Sequence, residues 1–233
     1  MIAINTNKAV SSTKPYHPGY YLKIMRFGFI QPVISTLIQA LCYLNSAEWV
    51  KQLTYRFACW MKGRRLKDEE LRSVMGVGID LHQILKWGIV LAFLVYGVKA
   101  EWAFWLTAYL LAGNLFTYFY YHTWGSGYSR KGGLEARRRR FVAFLLSVGF
   151  YLIAYAYLYQ FHLPADIKWP SDGVNFSNAL YGSVTTAFTL THGDFTPLST
   201  AARTLILTQL LNTFIFLTII ITDAVPRIEE NNE

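Results

Sequence analysis

Cysteine is scarce, charge is sparse, and no glycine occurs after Gly193. Cys42 and Cys59 are the only cysteines of the 233 residues, so neither a disulfide framework nor a CxxC metal motif is available. No HExxH, nucleophile elbow or phosphate-cradling glycine loop occurs, which removes the common enzymatic signatures. The first twenty residues are polar and contain Pro15 and Pro18, unlike the apolar core of a secretory signal, so the first spanning segment is expected to act as the insertion signal. Charged residues amount to only 15%.

The remainder is just over half hydrophobic (53%) and rich in aromatics (17%), with a mean hydropathy of +0.25, which is the balance of a membrane protein. The net charge of +8 does not point to nucleic acid, because the cations lie beside apolar segments and not along a basic stripe interleaved with stacking aromatics. A bilayer core of about 30 Å takes roughly 20 apolar residues in helix. Four stretches approach that length, about 81–98, 102–121, 141–162 and 202–222.

Lys99 and Glu101 sit in a short turn, so the first two stretches form a hairpin. A glycine-rich basic linker follows, 122–140, closing on Arg137 to Arg140. Those arginines are consecutive and not spaced every third residue within an apolar helix, which reads as topogenic charge and not as a voltage sensor. Residues 1–78 carry eleven Lys and Arg, the linker six and the tail Arg227, against Lys99, Lys168 and Arg203 on the other side. That bias places both termini in the cytoplasm, in a plasma or bacterial inner membrane. Ile30, Val33, Ile34, Leu37, Ile38, Leu41 and Leu44 recur at helical spacing between flanking cations, the pattern of an interfacial amphipathic helix over 27–45. The expected domains are therefore an amphipathic cytoplasmic or interfacial region (1–78), a transmembrane hairpin (79–121), the basic linker (122–140), a C-terminal membrane domain (141–226) and a tail (227–233).

Between the last two spans the chain reads Ala179-Leu-Tyr-Gly-Ser-Val-Thr-Thr-Ala-Phe-Thr-Leu-Thr-His-Gly-Asp-Phe-Thr-Pro197. A helix that breaks into irregular backbone at membrane depth is tolerated only where that backbone lines a water-filled cavity or is covered by protein. This segment resembles the pore helix and selectivity filter of the potassium-channel superfamily, whose filter reads roughly Thr-Val-Gly-Tyr-Gly-Asp with a proline about three residues on. Thr189, Leu190, Gly193, Asp194 and Pro197 stand at the matching places. Thr191 replaces the first glycine and His192 the tyrosine.

The resemblance implies an all-α integral membrane fold of four transmembrane helices plus a re-entrant pore helix and filter loop (175–197), four chains around one axis, and no cofactor. It implies that K⁺ or Na⁺ passes over the backbone carbonyls of Thr189, Leu190, Thr191 and His192, as rings of carbonyls replace an ion's hydration shell. Asp194 would form a ring of negative charge at the mouth. A β-branched residue where glycine's positive φ is wanted leads us to expect altered, weak selectivity. Four imidazoles of His192 near a narrow mouth would titrate around pH ~6.5 and oppose cation entry when protonated. Packing of His192 behind the filter is the alternative.

On the last span Gln209, Asn212 and Thr213 supply polar atoms, while Phe216 and Ile220 belong to an apolar cytoplasmic half. They are expected to line a cavity and to close it by dewetting, or else to pack between helices. The basic cytoplasmic face suits anionic lipid. Two other readings compete: a non-conducting or regulatory homologue, and a haem-binding oxidoreductase using His82 and His122 near one face of the hairpin.

Overall fold

The computed structural model describes residues 30–64, 66–120, 134–190 and 193–224. The chain divides into two units, 1–43 and 44–233. Of the first, the described part belongs to helix α1 (Ile30–Leu44), opened by Pro32 in its first turn and carrying Val33, Ile34, Leu37 and Leu41 on an exposed apolar stripe. Asn45 interrupts the helical run: its extended backbone and its side chain, accepting from Ala47 N at 3.1 Å, cap a second helix, α2 (Ser46–Lys62).

In the second unit α2 is followed by α3 (Asp68–Tyr96), α4 (Glu101–Phe119), α5 (Leu134–His162), strand β1 (Ile167–Lys168), α6 (Phe176–Ala187), strand β2 (Thr196–Pro197) and α7 (Thr200–Ala224). Two of these differ from the sequence expectation at their starts. Helix α3 begins at Asp68 and runs unbroken through the boundary expected near 79–81. Helix α5 begins at Leu134, so Arg137 to Arg140 lie on its first turns and not in a linker. Residues 121–133 and the tail beyond 224 lie outside the described residues.

Among the described residues three helices contain stretches long and apolar enough to cross a membrane: Ser73–Tyr96, Phe141–His162 and Thr200–Thr218. Helix α4, the expected second member of the hairpin, is not among them; Trp102, Trp105, Tyr109 and Asn114 dilute its apolar content. The four-residue connection between α3 and α4 does close a tight hairpin, with Gly97 in the left-handed region and Val98 N donating to Phe93 O at 3.0 Å.

Helix α5 is the hub. Phe150, Ala154, Ala156, Tyr157, Leu158 and Tyr159 are all buried, facing Val90 and Phe93 of α3, Leu110, Leu111 and Tyr118 of α4, and Ala202 and Phe216 of α7. Both faces of α5 are therefore packed within one chain.

A polar cluster crosses this core. Lys86, 2% exposed and inside the first apolar stretch, donates to Asn114 Oδ1 of α4 (2.5 Å) and Ser147 Oγ of α5 (3.2 Å) and lies over the Phe150 ring. Ser147 Oγ also donates to Asn114 Oδ1, and Asn114 Nδ2 to Ser147 O. An ionisable side chain at this depth is held by partners and not by water. Near the start of α5, Arg139 binds Asp80 Oδ2 (2.6 Å) and Gly76 O (2.8 Å) of α3, a contact that gives one arginine of the basic run a fixed place.

The α2–α3 connection is closed by Glu70, which accepts from Lys62 Nζ (2.7 Å), Arg64 (2.9 Å) and Lys67 N (3.0 Å). Those donors, Lys62 first, hold its carboxyl down at about 2. A depressed carboxylate adds stability above its ordinary pKa and loses it as pH falls through the folded value. The clasp is therefore expected to persist to about pH 2, and Glu70→Gln to change the unfolding midpoint only slightly at pH 7, because the group is exposed.

Candidate pore loop

Helix α6 is short because its caps are strong. Asn175 opens it, accepting from Asn178 N at 2.8 Å, and Asn178 Nδ2 reaches back to Gly173 O at 2.7 Å. At the other end Thr189 N donates to Thr186 O (3.0 Å) and Leu190 N to Thr185 O (2.7 Å), the paired bonds of a Schellman motif. That motif needs a left-handed residue just past the helix, and here it is Thr189, with φ 57°, the only non-glycine positive φ among the described residues. A β-branched residue in this region is strained by roughly 1–2 kcal/mol. Thr189→Gly is expected to raise stability by about 1 kcal/mol, after glycine's own entropic cost, as read from the thermal unfolding midpoint.

Beyond Thr189 the chain is open: Phe188, Thr189 and Leu190 are all exposed. Thr191 and His192, with the carbonyls expected at them, lie outside the described residues. The loop returns at Gly193, whose φ of 76° is available to glycine at little cost. Asp194 Oδ1 then accepts from Tyr181 OH on α6 at 3.3 Å, fixing the acid against the helix. Phe195 turns inward, edge-on to Tyr159 (5.3 Å) and Trp169 (5.5 Å). Antiparallel pairing of β2 with β1, Ile167 opposite Pro197 and Lys168 opposite Thr196, ties the loop's exit to the end of α5.

Gly182 makes this fold-back possible. A Cβ there would enter the Phe195 ring. Gly182→Ala is expected to displace Phe195 and cost about 1–3 kcal/mol, measured as a fall in the unfolding midpoint, with Phe195→Leu in the same chain recovering part of it.

The loop helix is anchored from behind by a polar seam. Tyr151, Tyr155 and Tyr159 follow one another at i, i+4 and i+8 on α5, hence on one face. Tyr159 OH donates to Gln209 Oε1 (2.5 Å), Tyr151 OH to Gln209 O (2.9 Å), and Asn212 Nδ2 to Tyr155 OH (2.8 Å). Gln209 Nε2 completes the junction by donating to Ser183 O (2.8 Å) and Ser183 Oγ (3.0 Å) on α6, and Ser183 Oγ donates to Leu152 O of α5 (2.8 Å). One glutamine thus joins three helices.

Of the residues expected at a conduction site, the structure brings Thr189, Leu190, Gly193 and Asp194 into one loop at the end of α6. The four expected cavity or gate residues with described side chains are engaged within the single chain. Gln209 is fully buried, Asn212 and Thr213 bond to Tyr155 and Tyr151, and Phe216 is 5% exposed against Tyr118, Phe144 and Tyr151. The side chain of Ile220 lies outside the described set. The tyrosine spacing on α5 is the sequence signal for this seam. His82 bonds to Ser46 Oγ at 3.0 Å, and His122 lies outside the described residues. Among the described residues no group of three metal-ligating side chains occurs.

No curated protein and no solved structure gives a match to the chain. Residues 139–230, from the start of α5 to beyond the end of α7, match the family model described as ion channel. Together with three apolar helices of spanning length among the described residues, that match, which covers 92 of the 233 residues, supports an ion-channel-like region in a membrane protein.

Proposed function

We propose that the chain is the subunit of a homotetrameric cation channel of potassium-channel type, conducting K⁺ or Na⁺ with weak selectivity through the 189–194 loop. The observation that carries this reading is the loop itself. A short capped helix between two apolar spans ends in exposed residues, and the returning chain carries a carboxylate, Asp194, held in place by Tyr181. One chain supplies one loop, and closing a ring of carbonyls about an ion takes four.

The surface of α7 suits that assembly. Its inner face is committed to α5, whereas Leu207, Leu211, Phe214 and Leu217 are half or more exposed and form a stripe for neighbouring subunits or the pore axis. In this reading α4 is a fourth span, both termini are cytoplasmic, and the cation-rich N-terminal region and linker lie over anionic lipid of a plasma or bacterial inner membrane. In this reading protonation of His192 is expected to oppose cation entry.

Cation flux into liposomes, combined with the mass of the purified assembly, tests the proposal. Flux from a tetramer, reduced by Asp194→Asn, is the expected result. A tetramer that passes no cation under any gradient would favour a non-conducting homologue, and a monomer would overturn the assembly.

A further inference from the structure

Helix α2 is bound to α3 through charge that is buried and unevenly matched. On α2, Glu48 and Lys51 form an ion pair at 2.8 Å with both side chains only 4% exposed. Facing them on α3 is His82, 7% exposed and bonded to Ser46 Oγ at 3.0 Å. One turn further along α3 lies Lys86. His82 is within electrostatic reach of Lys86, Lys51 and Glu48 together. Among the described residues the other packed elements add no acid: α4 presents Asn114, Thr117 and the phenol of Tyr118, and α5 presents Ser147. Asp80 is occupied by Arg139. With a neutral imidazole the one carboxylate of the group, Glu48, is already paired with Lys51. A proton on His82 adds a cation that finds no further carboxylate, in surroundings too dry to screen it.

We propose that His82 is an acid-operated latch: neutral, it lets α2 seat on α3; protonated, it drives α2 off. The Ser46 bond does not oppose release, because the hydroxyl can accept from a protonated ring as readily as it donates to a neutral one. Release reaches other elements through two side chains. Asn45, at the start of α2, donates to Thr117 of α4 at 2.8 Å, and Lys86 ties α3 to α4 and α5. Helix α5 bears the tyrosines that hold α6 and α7, so an acid-driven change at α2 has a packed route to the pore loop. Only this last link rests on the channel reading.

The test is amide exchange of α2 in the full chain reconstituted in nanodiscs, at pH 7.5 and 5.5 and corrected for the intrinsic rate. Wild-type α2 is expected to lose about tenfold or more of its protection at pH 5.5, since a charge neighbour of this kind shifts a titration by about a unit or more. His82→Gln, which keeps a hydrogen-bonding group but cannot take the proton, should abolish the difference. Glu48→Gln should move the transition to higher pH and Lys86→Met to lower pH, so the signs remain decisive even if one variant fails to fold. Equal protection in wild type and His82→Gln at both pH values, or shifts of the same sign in the two charge variants, would overturn the latch.

Current recordings across the same pH range complete the test. An acid response lost in His82→Gln supports the coupling. One retained there and lost in His192→Asn overturns the coupling and assigns the response to the mouth. Absence of current at every pH, with the α2 titration intact, upholds the latch and overturns the channel reading.

Discussion

Replacing Gln209 with leucine is expected to destabilise the folded chain by about 2–4 kcal/mol, although leucine is apolar, close in size and better suited to a membrane helix. The side chain is fully buried, and all of its hydrogen-bonding atoms are used. Leucine leaves the Ser183 carbonyl without its side-chain donor and the Tyr159 hydroxyl without its acceptor, and each buried orphan costs roughly 1–3 kcal/mol. The lower part of that range is weighted by the behaviour of membrane helices, whose unfolded state finds substitute partners and whose single interhelical bonds average about 0.6 kcal/mol. Detergent-titrated unfolding of the purified protein gives the number. Tyr159→Phe in the Gln209→Leu chain should cost less than in the native chain, because the orphaned hydroxyl is removed. Equal cost in both backgrounds would mean that the seam carries no coupling energy.

A second large effect belongs to Asn114, and it runs against charge intuition. Asn114→Leu is expected to cost about 3 kcal/mol, whereas Lys86→Met should cost about 1 kcal/mol or less, as measured by the same unfolding titration. Asn114 supplies one of the two acceptors on the Lys86 ammonium, and its loss leaves a buried cation with a single hydroxyl. Removing the lysine leaves no stranded charge, because Ser147 and Asn114 already bond to each other in two places. Methionine keeps the unbranched shape against Phe150. A Lys86→Met chain less stable than Asn114→Leu would show that the ammonium contributes more than its burial costs.

The pore region was legible because its signals are local. A length of about 20 apolar residues marks a span, Asn175 marks a helix start, and Gly193, Asp194 and Pro197 mark a break between two spans. The strain was harder to place. The sequence directed attention to Thr191, whereas the described left-handed threonine is Thr189, because the Schellman closure falls where α6 ends and that residue could not be read from pattern alone.

Where long-range pairing decides, the sequence was ambiguous. Gln209, Asn212 and Thr213 could equally well face a cavity or a helix, and only the tyrosines spaced along α5 resolve the choice. Residues 68–78 read as a charged N-terminal region because Glu69, Glu70 and Arg72 interrupt the apolar pattern, yet α3 runs through them with Glu70 clasped to the end of α2. Glu48 and Lys51 pair with each other out of solvent, because the partners that bury them lie elsewhere in the chain. The early start of α3 likewise places Lys86 well inside an apolar stretch.

The central claim is that cations cross the membrane through the 189–194 loop. The most direct measurement is the reversal potential of the reconstituted protein in planar bilayers under opposed K⁺ and Na⁺ gradients, in the native chain and in Asp194→Asn. The account predicts currents that favour cations over anions, reverse close to zero between the two cations, and fall when the carboxylate ring is neutralised. Currents that select anions, or cation currents indifferent to Asp194→Asn and to Thr189→Gly, would contradict it.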